Sequence, residues 1–488
     1  MSLALGIDVG TTATKAIVID DAGRVVAETE RRSELSSPHP GWAEEDTAQW
    51  WGNVTSLAAD LPLADVRAVG VSGMVPCVIC LDEDGRALRP SIQQNDARAV
   101  TEVEELAAEL ADRDVLQRTG SPITQQSVAP TARWLARHEP DVWDRTRTIL
   151  GSYDLIVHRL TGERAVEANW ALESGLYDLR AGGWAEDVCA AAGIDPDRLP
   201  PVKPSSEVVG EVSADAARAT GLPAGIPVVA GSADHVASAF AAGLVEDGDL
   251  LVKLGGAGDI LLSTGAELID ERLYLDFHLM PDRYLPNGCM AASGSLIRWF
   301  HEQLGRETDL AALDEEARRA GPGAGGLVLL PYVLGEKTPV NDPRARGVLF
   351  GMHLGHTRGH VFRAVLEGIS YGFRHHLDVF RERGHEPRRV RVTNGGARSE
   401  LWKQVTADVL GLPLEVPRES AGSALGAAFL AAKGAGMYGD WRDIERFVEI
   451  GRVVEPDPSA ASVADDGYAV YRELYPTLRP LMHREPRP

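Results

Sequence analysis

The sequence predicts an α/β protein of two large domains. Three observations carry this. At 488 residues the chain exceeds what one ordinary hydrophobic core organises. Apolar runs of strand length alternate with helix-patterned segments along most of its length. An opening unit of strand, glycine turn and strand returns once, near the middle.

The first unit runs from Leu5 to Asp20, with apolar stretches on both sides of Gly10-Thr11-Thr12 and a further turn at Asp21-Ala22-Gly23. That order reads as a meander of strands, not strand, loop and helix. Trp50, Trp51 and Val54 belong to a helix after Gly41-Trp42-Ala43-Glu44-Glu45-Asp46. Val66 to Ser72 and the apolar run Val75 to Leu81 read as buried strands, and Val100 to Leu110 and Thr131 to His138 as helices. Glu139-Pro140 stops the second of these. Residues 181–227, rich in Pro, Gly and Ala, read as loops with short helices. Ile226 to Gly231 is a strand, and Asp234 to Ala242 a helix that Gly243 ends.

The second unit is Asp249 to Thr264, around Gly255-Gly256-Ala257-Gly258. A strand at Leu327 to Leu330 and a helix at Val361 to Phe373 follow. Then come a strand at Arg389 to Thr393, a helix at Ser399 to Leu410, and a helix of small residues at Ser423 to Lys433. The expected domains are 1–243 and 244–488. The Ala- and Gly-rich helix allows close packing within the chain or between chains, so a homodimer is compatible with it.

Charge narrows the partners. With 49 basic and 72 acidic residues the formal net charge is -23, which repels nucleic acid and anionic lipid. A small neutral substrate is expected, with any nucleotide phosphates held by local dipoles and a divalent metal. Four scattered cysteines make no disulfide framework, and with no signal-peptide or membrane-span pattern a cytoplasmic setting is the simplest expectation. Cys77 and Cys80 form a C-x-x-C with no second pair, which reads as two residues of a buried strand.

Four short segments carry chemistry. Asp8 ends a buried strand before Gly10, Thr11 and Thr12, where a carboxylate beside open amides and hydroxyls suits a metal and phosphate oxygens. A hairpin acid satisfied by its own turn reads equally from the same residues, and no Walker-type loop is present. Asp234 follows a strand and opens a helix, as a helix-cap acid or as a general base for a hydroxyl nucleophile. Gly255 to Gly258 is a second glycine turn. Gly395, Gly396, Ala397 and Ser399 join a strand to a helix, where glycines let backbone pass flat under a planar ring.

Together these segments resemble the FGGY family of carbohydrate kinases, relatives of hexokinase and actin. The resemblance spans nearly the whole chain. It rests on Gly6-Ile-Asp-Val-Gly-Thr-Thr12, Gly41-Trp-Ala-Glu-Glu-Asp46, Gln93-Gln-Asn-Asp-Ala-Arg98 and Ala230-Gly-Ser-Ala-Asp234. It also rests on Arg346-Gly-Val-Leu-Phe-Gly351 and Asn394-Gly-Gly-Ala-Arg-Ser399. The resemblance implies two ribonuclease-H-like domains flanking a deep cleft, with ATP and Mg2+ mainly on the second domain and sugar mainly on the first. It implies Asp234 as catalytic base and Asp8 as the acid that orients metal and phosphate. Gly10, Thr11, Thr12, Lys15, Gly255, Gly256, Ala257, Gly258, Gly395, Gly396, Ala397 and Ser399 are implied on the nucleotide side. Met74, Val75, Pro76, Asp96 and His235 are implied on the sugar side.

Within the family the xylulose kinase branch is the most similar, which makes a ketopentose the expected substrate. The chain departs from that branch where Pro76 replaces a hydrogen-bonding His, Gln94 a Trp and His235 an Asn. Gly256-Ala257-Gly258-Asp259 also stands where hydroxyl residues are usual, bringing a carboxylate near phosphate. Another acceptor (ribulose, erythritol, gluconate) and a non-catalytic sugar-binding relative are the alternatives.

Overall fold

The computed structural model describes residues 2–305, 308–393, 395–419 and 422–484. The first sheet contains β1 (Leu3–Val9), β2 (Ala13–Asp20), β3 (Val25–Arg32), β4 (Val66–Gly73), β5 (Val208–Glu211) and β6 (Pro227–Val229) in the order β5-β6-β4-β1-β2-β3. The first three strands form an antiparallel meander, β4 and β6 run parallel to β1, and β5 closes the edge antiparallel. The second sheet contains β7 (Asp249–Leu254), β8 (Gly258–Leu262), β9 (Asn287–Met290), β10 (Arg389–Thr393), β11 (Leu414–Pro417) and β12 (Ile450–Val454) in the order β9-β8-β7-β10-β11-β12. Its pairings repeat the first sheet's, sense for sense. The repeat suggested by two glycine turns is therefore a repeat of topology, in the ribonuclease-H-like manner. β1 is buried at every residue, as a strand covered on both faces requires.

The helices that position the site are α1 (Thr47–Ala58), α2 (Asp234–Ala241), α3 (Gly294–Phe300), α4 (Arg358–Glu382), α5 (Glu400–Leu410) and α6 (Gly422–Gly434). α6 comes from the second half of the chain but lies on β1 and β4 of the first sheet and against α2. The contact is backbone on backbone. A Cβ on Gly6 would stand 2.1 Å from the Ala424 carbonyl oxygen, one on Gly70 2.2 Å from that of Ala427, and one on Gly426 2.3 Å from that of Ala237. The small-residue helix thus packs within the chain, with Ala424 to Ala432 buried.

Two of the segments that carry the family resemblance turn out to hold each other. Asp96 accepts from the Ala43 amide at 2.6 Å and from Arg98 Nε at 2.9 Å. Arg98 also donates to Glu44 at 2.7 Å, and its guanidinium lies 3.7 Å over the Trp42 ring. Glu45 accepts from Trp50 Nε1 at 2.6 Å, and Asp46 caps α1 through the Ala48 amide at 2.9 Å. The expectation that Asp96 touches sugar is corrected here, because its carboxylate is committed to this interlock. The expected strand Val75 to Leu81 shortens to Ile79–Leu81, since Pro76 has no N–H to give a ladder. Cys77 and Cys80 are buried, and burial pushes their thiols up to about 12 and about 11, which leaves them inert. Among the described residues no helix is long and apolar enough to cross a membrane.

Two outcomes follow from this packing. In a free helix, Gly426→Ala would stabilise by about 1 kcal/mol. Here it is expected to destabilise by about 1–3 kcal/mol through overpacking against Ala237, and a thermal midpoint at or above wild type would rule that contact out. Burial, against the hydrogen bond from Trp50, raises Glu45 from its ordinary 4.5 to about 7. Between those values the folded chain keeps a proton the unfolded chain has lost, so stability falls as pH rises through the window. Denaturant unfolding of Glu45→Gln is expected to show a shallower fall between about pH 5 and about pH 7.5 than wild type, and parallel curves would refute the assignment.

Candidate active site

β1 carries Asp8 to the sheet's end, next to Ser72, whose Oγ donates to Asp8 Oδ1 at 2.9 Å. Asp8 is 7% exposed; burial, and then the charge of Asp234, raise its carboxyl to about 6. Asp234 stands on the adjacent switch from sheet to helix. The preceding Ser232-Ala233 pairs with β4, and Gly231 at φ 100° makes the bend. A Cβ on Gly231 would meet the Val71 carbonyl oxygen at 2.3 Å, so only glycine brings the chain so close to β4. Asp234 is the first residue of α2 rather than its cap, and its side chain is 39% exposed to the cleft.

His235 is anchored on both ring nitrogens. Nε2 donates to Asp276 at 2.8 Å, and Nδ1 lies 3.5 Å from Asp234 Oδ1. Asp276 in turn accepts from Asn287 Nδ2 at 2.6 Å, and Glu173 lies 3.7 Å from His235 Nε2. Burial alone would depress the imidazolium, but the Asp276 carboxylate and the hydrogen bond to Asp234 hold it well above its ordinary 6.5. Burial likewise lifts the Asp234 carboxyl, yet the His235 hydrogen bond and the Lys253 charge outweigh it and keep Asp234 below the ordinary carboxylate value. Burial, and then the charge of Asp276, drive the Glu173 carboxyl well above its ordinary value. Ligand atoms of Glu173, His235 and Asp276 lie within 4.8 Å of one another.

Two recesses meet at Asp234. The smaller, about 190 Å³, is lined by Met74, Val75, Pro76, Gln94, Glu173 and His235 from the first half, and by Tyr274, Asn287, Asp259 and Lys337 from the second. Gln126 on its wall donates to Gln94 at 2.5 Å and accepts from Tyr274 at 3.1 Å. The larger, a groove of about 1040 Å³, is lined by Asp8, Lys15, Gly255, Gly395, Ala397 and Ser423 among others. Asp234 and Lys253 line both.

The expected site residues therefore divide. Met74, Val75, Pro76 and His235 line the small pocket, and Asp8, Lys15, Gly255, Gly395 and Ala397 the groove. Thr11 and Ala257, expected on the nucleotide side, line the small pocket, where the tips of both glycine turns lean over it. Gly10 sits in the hairpin turn, its amide bonded to the Ala13 carbonyl at 3.1 Å, and Thr12 is exposed beside it. Gly256 is exposed at the second turn, braced from behind because its carbonyl accepts from the Ser293 and Ser295 amides at the start of α3, at 2.9 and 3.0 Å. A Cβ on Gly258 would run into Phe373 and one on Gly396 into Trp402, so each backbone passes tight against an aromatic ring. Ser399 is corrected to a helix cap: its hydroxyl accepts from the Trp402 amide at 3.1 Å and donates to Asp314 at 2.8 Å. Asn394 lies outside the described residues. Lys253, Gln126, Tyr274, Asn287, Glu173 and Asp276 are site residues that the sequence does not single out. Each is a lone polar residue in strand, loop or helix, with no motif to mark it.

The His235 assignment predicts a titration. Its imidazole resonance should titrate above 6.5 in wild type and move down by about one unit or more in Asp276→Asn, with assignment by His235→Asn; an unmoved resonance would remove Asp276 as the cause.

Comparison with known proteins gives matches over nearly the whole chain. The N-terminal domain of the FGGY family of carbohydrate kinases matches residues 3–241 and its C-terminal domain residues 270–435. The xylulose kinase of Escherichia coli (strain K12) is 32% identical over 485 residues, covering 98% of this chain and 99% of that protein. The crystal structure of xylulose kinase from Rhodospirillum rubrum superposes with a TM-score of 0.92 at 47% identity, covering 99% of this chain and 100% of that one. The gluconokinase of Bacillus subtilis (strain 168) is 27% identical over 491 residues, covering 97% of this chain and 94% of that protein. With both domains matched in order and the two sheets built alike, the chain belongs to the FGGY family of carbohydrate kinases and is an ATP-dependent sugar kinase.

Proposed function

We propose that the chain transfers the terminal phosphoryl group of ATP to a hydroxyl of a ketopentose, D-xylulose first, giving the 5-phosphate. The observation that carries this is the sharing of Asp234 between a small polar pocket and a large open groove. A sugar hydroxyl in the first and a nucleotide phosphate in the second would meet at that carboxylate.

The acceptor oxygen forms a bond to the γ-phosphorus while the bond from that phosphorus to the bridging oxygen breaks. The bond's electron pair leaves on ADP, and the hydroxyl proton goes to Asp234. His235 keeps Asp234 ionised, and so able to take that proton, and fixes its orientation. Gln94, Gln126, Tyr274 and Asn287 offer hydrogen bonds to sugar hydroxyls in place of the His and Trp usual in the branch. The rim contributed by the second half shields the pocket, which limits water as a competing acceptor.

The charges at the junction fit Mg2+. Asp8 and Asp234 raise the free energy of each other's ionised form, and two hard oxygen ligands in mutual repulsion are what a divalent cation relieves. Asp8 would hold it, and the ion would supply charge neutralisation for the phosphates. A sugar-acid acceptor is the second reading. Lys337 lines the small pocket, and among the described residues its ammonium makes no ion pair, with Cys289 Sγ at 3.8 Å as its contact.

An ADP-release assay with Mg-ATP tests both readings. The panel is D-xylulose, D- and L-ribulose, L-xylulose, erythritol, glycerol, gluconate and a blank. D-xylulose is expected to give the highest kcat/KM, and Asp234→Asn to lower it by about 10²-fold or more. Turnover confined to gluconate would favour the second reading. No stimulation by any acceptor would sink the kinase proposal for this panel.

A further inference from the structure

Asp259, an acid, stands on β8 just past the second glycine turn and lines the small pocket. The fold answers that charge from directly across the hairpin. Lys253 is the register partner of Asp259 in the β7–β8 pair, and its Nζ lies 3.4 Å from Asp259 Oδ2. The Lys253 side chain is 12% exposed, and it reaches the point where the acceptor pocket and the groove join. Asp259 is the only carboxylate within 4 Å of the ammonium among the described residues. An ammonium has three protons to give, so a single long contact leaves donors for another partner.

Structural need alone does not account for a lysine here. β7 is an interior strand whose other residues are fully buried. A buried ion pair at such a place contributes little that an apolar pair would not. A fixed cation beside the general base, opening on both recesses, has a use in phosphoryl transfer, whose transition state spreads negative charge over three equatorial oxygens.

We infer that Lys253 donates a hydrogen bond to an equatorial oxygen of the phosphoryl group as it crosses from nucleotide to acceptor, with Asp259 holding the lysine at the mouth of the turn. Lys253 keeps its proton throughout; the acceptor's proton goes to Asp234, and the cleaved bond's electrons leave on ADP. The carboxylate just past the turn then works through the lysine and does not face the phosphate uncompensated. Burial would lower the ammonium's affinity for its proton, but Asp259 and Asp234 more than restore it, so the cation persists at neutral pH. The inference rests on the kinase reading above.

The test compares wild type with Lys253→Met, Lys253→Arg and Asp259→Asn. It measures binding of Mg-ADP and of the Mg complex of a non-hydrolysable imido analogue of ATP by calorimetry, and turnover with the active acceptor. Lys253→Met is expected to lower kcat by about 10²–10³-fold. It should weaken the triphosphate analogue by about tenfold while ADP changes by less than about twofold, because only the γ-phosphoryl is touched. Lys253→Arg should recover part of kcat, and Asp259→Asn, which keeps the cation, should preserve the preference for the triphosphate analogue.

A Lys253→Met enzyme within about threefold of wild-type kcat, or one that weakens ADP and the analogue alike, overturns the inference. If that variant does not fold, Lys253→Gln is read by the same two criteria. Wild type with no turnover on any acceptor and no preference for the analogue would sink the kinase reading itself, whereas turnover that survives in Lys253→Met sinks the role of Lys253 alone.

Discussion

The closest constraint in the structure is the seat of α6 on the first sheet. Gly6 and Gly70 present bare backbone on adjacent strands, and Ala424, Ala427 and Ala428 descend onto them. Ordinary side chains would hold a helix about 8–10 Å from its neighbour. Here the second half of the chain reaches across and is fixed at backbone distance. The helix start then brings Ser423 to the groove that Asp8 lines, and Gly426 locks α6 against α2, which carries Asp234. The site is assembled by this clasp, because its two recesses are walled by residues from both halves.

Around the junction, charge is arranged in pairs. Asp8 is buried and opposed by Asp234, so its carboxyl is held up. Asp234 is held ionised by His235 and Lys253. His235 is held by Asp276, and Lys253 by Asp259. A low-dielectric cleft strengthens each of these attractions and raises the cost of leaving any one unpaired. The cations at this junction sit in a protein whose net charge is -23.

Much of the fold was legible from local pattern. Strand, glycine turn and strand, repeated, gave the two sheets their first hairpins, and strand-to-helix switches marked Asp234 and the segment at Gly395. Asp8 and Asp234 were readable because burying an acid at the end of an apolar run is costly, and chemistry is what most often repays it. Asp96 and Ser399 are bonded within the protein, to Arg98 and the Ala43 amide and to Asp314 and the Trp402 amide. Each is a polar residue in a family segment, and sequence cannot separate an acid that meets substrate from one that ties two loops together. The interlock of Asp96, Arg98, Glu44 and Trp42 joins residues about fifty positions apart. Such pairing leaves no local trace.

The sequence by itself determined the class of chemistry, since periodicity, glycine placement and two isolated carboxylates depend on near neighbours and are written in order along the chain. Only the tertiary structure decided which side chains meet in the cleft. Lys253 meets Asp259 because an antiparallel register sets them opposite. His235 meets Asp276 because the second half folds back over the first. The glycines of β1 and β4 meet the alanines of α6 because more than three hundred and fifty residues of intervening chain return to the starting strand. These are long-range geometric facts, fixed by how two sheets and one clasping helix pack, and no local pattern encodes them.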